Sequence, residues 1–370
     1  MYPASVDEVQ LAEELIALDT STHEGLEHAL EVVRDRFVGA RVPVEVREFE
    51  GRTCILARVG CGSTRVLFNA HVDVVPGHPE QFVPVRHDGR LYGRGAYDMK
   101  AALAAMMCAV TELNTCNLSQ VTVEMLVVPD EERADPGANC SEMLVNDGFR
   151  TDFVICGEPT DLHVGVQAKG VVLLRCNVPG RAAHGSTPWL GENAVLRAVE
   201  LFHRVCRLPF MDESSDMFPA PSASLGRIEG GTSLNSVPDL CRMYLDIRPL
   251  PGQDVDAILD AIRELDPEVD VEVLLARPAA YVSDHDPMVT ALLDAVRPHA
   301  DASRAVGRDG SSDAIPFIDV GIPAVEFGPV GAGHHGPDEF VEIASLSRYR
   351  EALVDFVTRL DRSRCETSAA

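Results

Sequence analysis

Two polar side chains stand two residues apart in an apolar segment, AHVDVVPG, which begins at residue 70. In an extended strand, residues two apart point to the same face, so His71 and Asp73 would lie side by side. An imidazole beside a carboxylate can belong to a metal site. It can equally be a buried hydrogen-bonded pair. The pair alone does not decide between these two interpretations.

Further carboxylates and imidazoles stand at the ends of other predicted elements. Asp98, in YGRGAYDMK, marks the predicted start of a helix, where an ordinary N-cap is the alternative interpretation. The apolar strand VTVEMLVVP runs into three acids at 130–132, which repel one another unless a cation lies between them or the turn is solvated. Glu158 ends the strand in VICGEPT, and GHHGPDEF contributes His334 and His335. Together these clusters favour a metal site at the ends of several strands.

The elements that carry these residues alternate between strand and helix. The periodicity predicts helices over 8–18, 25–38, 98–113, 137–147 and 344–362, separated by β-rich segments. This order indicates an α/β fold with a mixed sheet and helices on both faces, in which ligands bind at the carboxyl ends of the strands. From residue 171 the order becomes βαββαβ, the pattern of a ferredoxin-like unit. We therefore predict a catalytic domain over 1–170 and 284–370, with an inserted domain over 171–283.

Composition excludes several classes of function. The chain has 370 residues, with 32 Lys and Arg against 58 Asp and Glu, and its net charge of −26 argues against a nucleic-acid groove or a polybasic membrane surface. No apolar run approaches the roughly 18 residues of a membrane span, and we expect a cytoplasmic protein. The ten cysteines form no C-x-x-C pair, which argues against a thiolate zinc site and indicates buried, reduced thiols.

Taken in order, the motifs resemble one family. AHVDVVP, LYGRGAYDMK, PDEE, GEPT, GRAAHGS, GGTSLNSVPD running into DIRPLPG, and HGPDEF cover nearly the whole chain. They resemble the di-zinc amidohydrolases that include acetylornithine deacetylase, succinyl-diaminopimelate desuccinylase, aminoacylase and the glutamate-releasing carboxypeptidases. Several motifs in the family's order are far more specific than any one of them.

The resemblance implies two zinc ions per chain, with cobalt or manganese as alternatives. His71 and Glu158 would bind one ion, Glu132 and His335 the other, and Asp98 would bridge both. The choice of His335 over its neighbour follows the family pattern, and the reverse assignment stays open. Imidazole and carboxylate donors suit zinc without thiolates.

The resemblance also assigns roles beside the metals. Asp73 would accept the second ring hydrogen of His71 and so orient that ligand. Glu131, the acid of the run that does not bind metal, would be the general base. Both are catalytic assignments.

The remaining assignments concern the substrate. His184, in GRAAHGS, would reach the active site of a partner subunit and stabilise the tetrahedral oxyanion, and Asn235 would contribute similarly. Arg248 resembles the arginine that holds a substrate carboxylate. Ser311 and Ser312 lie in the segment that lines the substrate pocket in relatives. Turn chemistry is the alternative for these loop residues.

The expected activity is hydrolysis of the amide bond of an N-acyl amino acid or related small N-acyl amine. A dipeptidase or carboxypeptidase on the same scaffold is the nearest alternative, and a non-catalytic protein that binds amino-acid derivatives is a more remote one. The expected partners are a small-molecule substrate and a second copy of the chain, which would form a homodimer through the inserted lid domain.

Overall fold

The described chain opens with two helices and a run of strands, and helices and strands are interspersed from there to its carboxyl end. The structure, a computed structural model, describes residues 7–132, 138–310 and 312–368. It divides into two units: the first comprises described residues of 1–166, 282–306 and 312–370, and the second comprises 167–281 and described residues of 307–311.

The elements up to residue 168 supply most of the first unit. Its helices begin after polar residues whose side chains accept a backbone N–H, such as Asp7 and Thr22. In chain order the elements are α1 Glu8–Ile16, α2 His23–Gly39, β1 Val44–Phe49, β2 Arg52–Gly60, β3 Thr64–His71, β4 Val85–His87, β5 Arg90–Tyr92, α3 Lys100–Leu113, β6 Val121–Val128, α4 Cys140–Asn146, β7 Phe153–Cys156 and β8 Val164–Ala168.

The later elements complete the chain. They are β9 Val171–Pro179, α5 Ala194–Val205, β10 Ser222–Gly230, β11 Leu240–Arg248, α6 Val255–Leu265, β12 Asp270–Arg277, β13 Ala280–Tyr281, α7 Pro287–Val296, β14 Ala305–Arg308, α8 Ile315–Asp319, β15 Ala324–Glu326, β16 Gly331–Ala332, β17 Phe340–Glu342 and α9 Ile343–Ser368. Short 3-10 turns lie at Pro79–Phe82, Pro188–Leu190 and Pro209–Asp212. Several bounds differ by a few residues from those predicted. For example, α1 ends at Ile16 rather than 18, α3 begins at Lys100 rather than Asp98, and α9 ends at Ser368 rather than near 362.

The main sheet of the first unit is mixed, with the strand order β1-β2-β6-β3-β7-β15-β8. Strand β3 pairs in parallel with β6 and with β7, and β7 pairs in parallel with β15. Parallel strands end at the same edge, so the residues that follow β3, β6 and β7 emerge side by side. A smaller antiparallel sheet has the order β16-β17-β5-β4.

Helices cover both faces of the main sheet. Val154 of β7 belongs to an apolar cluster with Leu144 of α4 and Phe317 of α8. Its neighbour Phe153 points the opposite way, and its ring lies 5.9 Å from that of Phe356 of α9. This alternation is what a strand buried on both faces requires. The predicted fold class is confirmed for the first unit.

The second unit is a four-stranded antiparallel sheet, β10-β11-β9-β12, packed on α5 and α6. Buried residues of α5 recur at Ala194, Ala198, Leu201 and Val205, which gives the helix one apolar face toward the sheet. The chain order is βαββαβ, as expected for a ferredoxin-like unit. Its role as a lid and dimerisation domain, and the domain bounds given above, stay predictions.

None of the helices within the described ranges combines the length and the apolar character that spanning a membrane requires.

Candidate active site

His71 is the last residue of β3, and its side chain is 1% exposed. Its Nδ1 donates to the Asp73 carbonyl oxygen at 3.0 Å, and its Nε2 lies 3.2 Å from Asp98 Oδ1. Burial opposes a charge on the ring, but the hydrogen bonds with Asp73 and Asp98 outweigh it and raise the pKa of His71 well above its usual value.

Asp98 does not cap a helix, because α3 begins two residues later and Met99 is at its cap position. The alternative interpretation of Asp98 as an ordinary N-cap is therefore wrong. The Asp98 carboxylate instead lies between two imidazoles, 3.2 Å from His71 Nε2 and 3.5 Å from His335 Nε2. Burial alone would raise the pKa of Asp98, but hydrogen bonds with His335 and His71 lower it below the usual range. Asp98 is therefore ionised at neutral pH.

His335 joins the same group through Glu132, whose Oε1 lies 2.7 Å from His335 Nε2. The bonds with Asp98 and Glu132 raise the pKa of His335 to about 10. The ring of His334 packs against that of Tyr97, with centroids 6.0 Å apart. The structure therefore brings His335, rather than His334, to the carboxylates.

These residues form a candidate metal centre. One potential ligand atom from each of His71, Asp98 and Glu132 lies within 4.8 Å of the others. Nitrogen and oxygen donors in this mixture suit Zn²⁺, and cobalt and manganese accept the same set. A divalent cation would also offset the repulsion among the carboxylates, so the residues present fit the expected metal.

Glu158 follows β7 and is buried. Burial raises the pKa of its carboxyl group well above the usual range, and the charge of Asp98 raises it further while His71 opposes the shift. The structure thus places Glu158 within electrostatic reach of both His71 and Asp98, the two residues with which it is predicted to share a metal.

Glu131 lies in the turn after β6, next in sequence to Glu132. Burial raises the pKa of Glu131 well above its usual value, with Glu158 adding to the shift and His71 opposing it. A carboxyl group whose pKa is raised in this way is suited to take up a proton and return it.

Asp73 differs in detail from its predicted role. The His71 ring donates to its backbone carbonyl, whereas its carboxylate oxygen lies farther from the ring nitrogen, at 3.5 Å. That carboxylate accepts the backbone N–H of Glu131 at 3.2 Å and that of Glu132 at 2.8 Å. The Asp73 side chain therefore holds the turn that carries the predicted base and a predicted ligand.

The first acid of the run, Asp130, is turned away from this group. Its carboxylate pairs with Arg52 at 2.7 Å and accepts the backbone N–H of Cys140 at the start of α4. Asp130 thus has a structural role.

In the second unit, His184 and Asn235 lie on adjacent exposed loops, joined by a hydrogen bond from the Gly185 N–H to the Asn235 carbonyl at 2.7 Å. The Nδ1 of His184 accepts the backbone N–H of Ser186 at 3.2 Å and lies 2.8 Å from the Ser186 hydroxyl. An Nδ1 that accepts leaves the hydrogen on Nε2 of the neutral ring. The His184 ring can therefore donate from Nε2, as an oxyanion partner must.

Two of the other predicted substrate residues, Arg248 and Ser312, have partners within the protein. Arg248 makes a two-point ion pair with Asp246, at 2.7 and 3.0 Å. Ser312 is buried, and its hydroxyl donates to Glu326 at 2.7 Å. Ser311 lies outside the described residues. Contact of these three residues with substrate stays a prediction.

Sequence reasoning missed three buried charged residues around the site. Asp313 accepts from Ser141 at 2.8 Å and from Asn69, two residues before His71. Arg94 and Glu339 form an ion pair at 2.8 Å. Arg94 and Glu339 lie inside motifs already noted, YGRGAYDMK and HGPDEF. The available signal was a charged residue in the same motif as a predicted ligand.

Known proteins match this chain over most of its length. The model of Peptidase family M20/M25/M40 matches residues 67–359. The chain is 27% identical over 363 residues to an acetylornithine deacetylase of Proteus mirabilis, which covers 91% of each protein. It is 25% identical over 401 aligned positions to a probable succinyl-diaminopimelate desuccinylase of Staphylococcus aureus, covering 95% of this chain and 98% of that one.

The fold has solved counterparts. The crystal structure of the aminopeptidase PepT of Bacillus cereus superposes with a TM-score of 0.75 at 20% identity, covering 97% of this chain and 100% of that chain. At this identity the likeness concerns the fold alone. Because the family model spans more than half of the sequence, the chain belongs to Peptidase family M20/M25/M40 and is a metal-dependent hydrolase of amides.

Proposed function

We propose that this protein hydrolyses the amide bond of an N-acyl amino acid or a related small N-acyl amine, with a metal-activated water and Glu131 as general base. The observation that carries the proposal is the position of Glu131. It adjoins the ligand candidate Glu132, its main chain is held by the Asp73 carboxylate, and its pKa is raised from the usual acidic range.

The metal assignment follows the family resemblance, and the contacts of Asp98 with His71 and His335 support it. His71 and Glu158 would hold one zinc ion, Glu132 and His335 the second, and Asp98 both. Zinc bound at these donors would lower the pKa of a water molecule and polarise the acyl carbonyl. Cobalt or manganese would serve the same purpose.

The chain's own residues would move the proton and stabilise charge. Glu131 takes a proton from the attacking water and returns it to the nitrogen of the leaving amine. His184 Nε2–H and the Asn235 amide donate to the oxyanion, and Arg248 pairs with a substrate carboxylate. By the family resemblance His184 acts in the site of a partner subunit, which requires a homodimer.

The acyl preference rests on the relatives. Proteins named as a deacetylase and a desuccinylase align with nearly the whole chain, which supports an N-acyl amino acid as the substrate class. A dipeptidase or carboxypeptidase is the second candidate, and the shared fold of an aminopeptidase favours retaining it.

The test combines metal content with substrate hydrolysis. Purified protein would be analysed for bound metals and incubated with N-acetyl, N-formyl and N-succinyl amino acids and with simple dipeptides, each with and without a chelator. We expect about two metals per chain and chelator-sensitive cleavage of N-acyl substrates. Cleavage of dipeptides alone would support the second candidate, and bound metal without any turnover would support a binding protein.

A further inference from the structure

Arg94 and Glu339 form an ion pair that is almost entirely enclosed, with side chains 4% and 1% exposed. Neither is a predicted metal ligand. Burying two charges costs free energy of desolvation, so a buried pair is weak evidence for stability on its own. The partners of this pair indicate a different use.

The Glu339 carboxylate binds the segment that carries Asp98. Its Oε1 accepts the backbone N–H of Tyr97 at 3.0 Å and that of Asp98 itself at 3.1 Å. Its Oε2 accepts from Arg94 Nη1 at 2.8 Å. Two neighbouring N–H groups that share one ionised acceptor are held in a defined orientation.

The Arg94 guanidinium binds the segment that carries His335. Its Nη2 donates to the His335 carbonyl oxygen at 3.2 Å. His335 has a φ of 61°, a left-handed conformation that residues other than glycine adopt rarely and that needs support from the surrounding structure. Arg94 therefore ties a strained main-chain position to the carboxylate that holds Asp98.

We propose that Arg94 and Glu339 are a positioning pair that sets the distance between the Asp98 carboxylate and the His335 ring, and thereby the affinity of the metal position these two residues share. The inference rests on the proposed function for the identity of the ligands. The pair acts on main-chain atoms of both ligands, so it would touch neither metal nor substrate.

The test compares Glu339→Gln with a matched control, Glu124→Gln. Glu124 is also a fully buried carboxylate of the first unit, and it is bonded to Arg58 and Arg65 at 2.6 to 3.0 Å. Metal-free protein would be titrated with Zn²⁺ against a chromophoric chelator, and with Co²⁺ while its visible absorption is recorded. Thermal unfolding of the metal-free forms would report stability.

We expect Glu339→Gln to weaken one of the two metal positions by about 10- to 100-fold and to alter the Co²⁺ spectrum. Glu124→Gln should lower the unfolding temperature while metal affinity stays within about twofold. Equal metal affinities in the two variants would overturn the inference.

Arg94→Lys provides a second, milder variant. Lysine keeps a positive charge beside Glu339 but lacks the fork that reaches the His335 carbonyl. We expect a smaller loss of affinity, about threefold to tenfold. If Glu339→Gln does not fold, Arg94→Lys decides, and wild-type affinity in that variant would contradict the inference.

Binding is measured without substrate, so the two proposals can fail separately. A wild-type chain that binds two metals and hydrolyses nothing in the panel would overturn the proposed function and leave the positioning role standing. A wild-type chain that binds no metal would overturn both.

Discussion

The polar residues predicted to act in catalysis are mostly buried at the edge of the main sheet but exposed on the loops of the second unit. Along the sheet edge, the side chains of His71, Asp98 and Glu132 are 1%, 11% and 10% exposed. His71 contacts Asp98, and Glu132 contacts the more exposed His335. On the loops, His184 and Asn235 are exposed and bond to residues close in sequence. The candidate metal ligands thus lie within the first unit, whereas the roles proposed for the loop residues require a substrate or a partner.

The largest effect is expected at Glu131. Glu131→Gln keeps the shape of the side chain but cannot take a proton from water, so kcat should fall by about 10³-fold. Because Glu131 is not a predicted ligand, metal content should stay unchanged. The measurement is steady-state hydrolysis of the best N-acyl substrate, together with metal analysis of the same sample. Near wild-type turnover would mean that another group is the base.

A smaller loss of turnover is expected at His184, in the second unit. His184→Ala removes an Nε2–H donor to the oxyanion, and kcat should fall by about 10²-fold with metal affinity unchanged. His203→Ala is a matched control, since it replaces another exposed histidine of the same unit, in α5. If both variants kept full activity, the oxyanion assignment would fail. The exposed loop that carries His184 would then have no role in catalysis, and the proposed chemistry would lie in the first unit.

For Asp73 we expect an effect of intermediate size, on metal affinity rather than on turnover. Asp73→Asn leaves a single oxygen to accept the backbone N–H groups of Glu131 and Glu132, so the turn should loosen and metal affinity should fall about tenfold. Competition titration with a chelator measures this change. An unchanged affinity would show that the turn holds its position without the Asp73 carboxylate.

The smallest effect on catalysis is expected at Ser312. Ser312→Ala removes a buried hydrogen bond to Glu326, and we expect a loss of about 1 kcal/mol in the free energy of unfolding. Because the hydroxyl is already bonded inside the protein, KM should change by less than about twofold. Denaturant unfolding and substrate kinetics check the two parts, and a large rise in KM would restore the predicted substrate contact.

Much of the site could be predicted because its chemistry follows the ends of predicted elements. His71 ends a strand, Glu158 follows another, and parallel pairing brings these ends together. The choice between His334 and His335 could not be derived from spacing, since it depends on a left-handed main-chain turn at His335.

The Arg94 and Glu339 pair could not be predicted for a related reason. The two residues are 245 positions apart, and only the folded chain brings the guanidinium to the carboxylate. The start of α3 also differs from the predicted one, and the Asp98 N–H just before it bonds to the distant Glu339. Local propensity reports none of these long-range contacts.

The interruption of the first unit by the second has a consequence for synthesis. Residues up to 166 leave the ribosome well before β15, which begins at Ala324, so the edge of β7 that β15 covers stays unpaired while about 160 further residues emerge. The sheet face that carries Phe153 likewise stays uncovered until Phe356 of α9 has been synthesised. His335 is synthesised nearly as late, so the candidate metal centre is among the last parts of the molecule to be assembled.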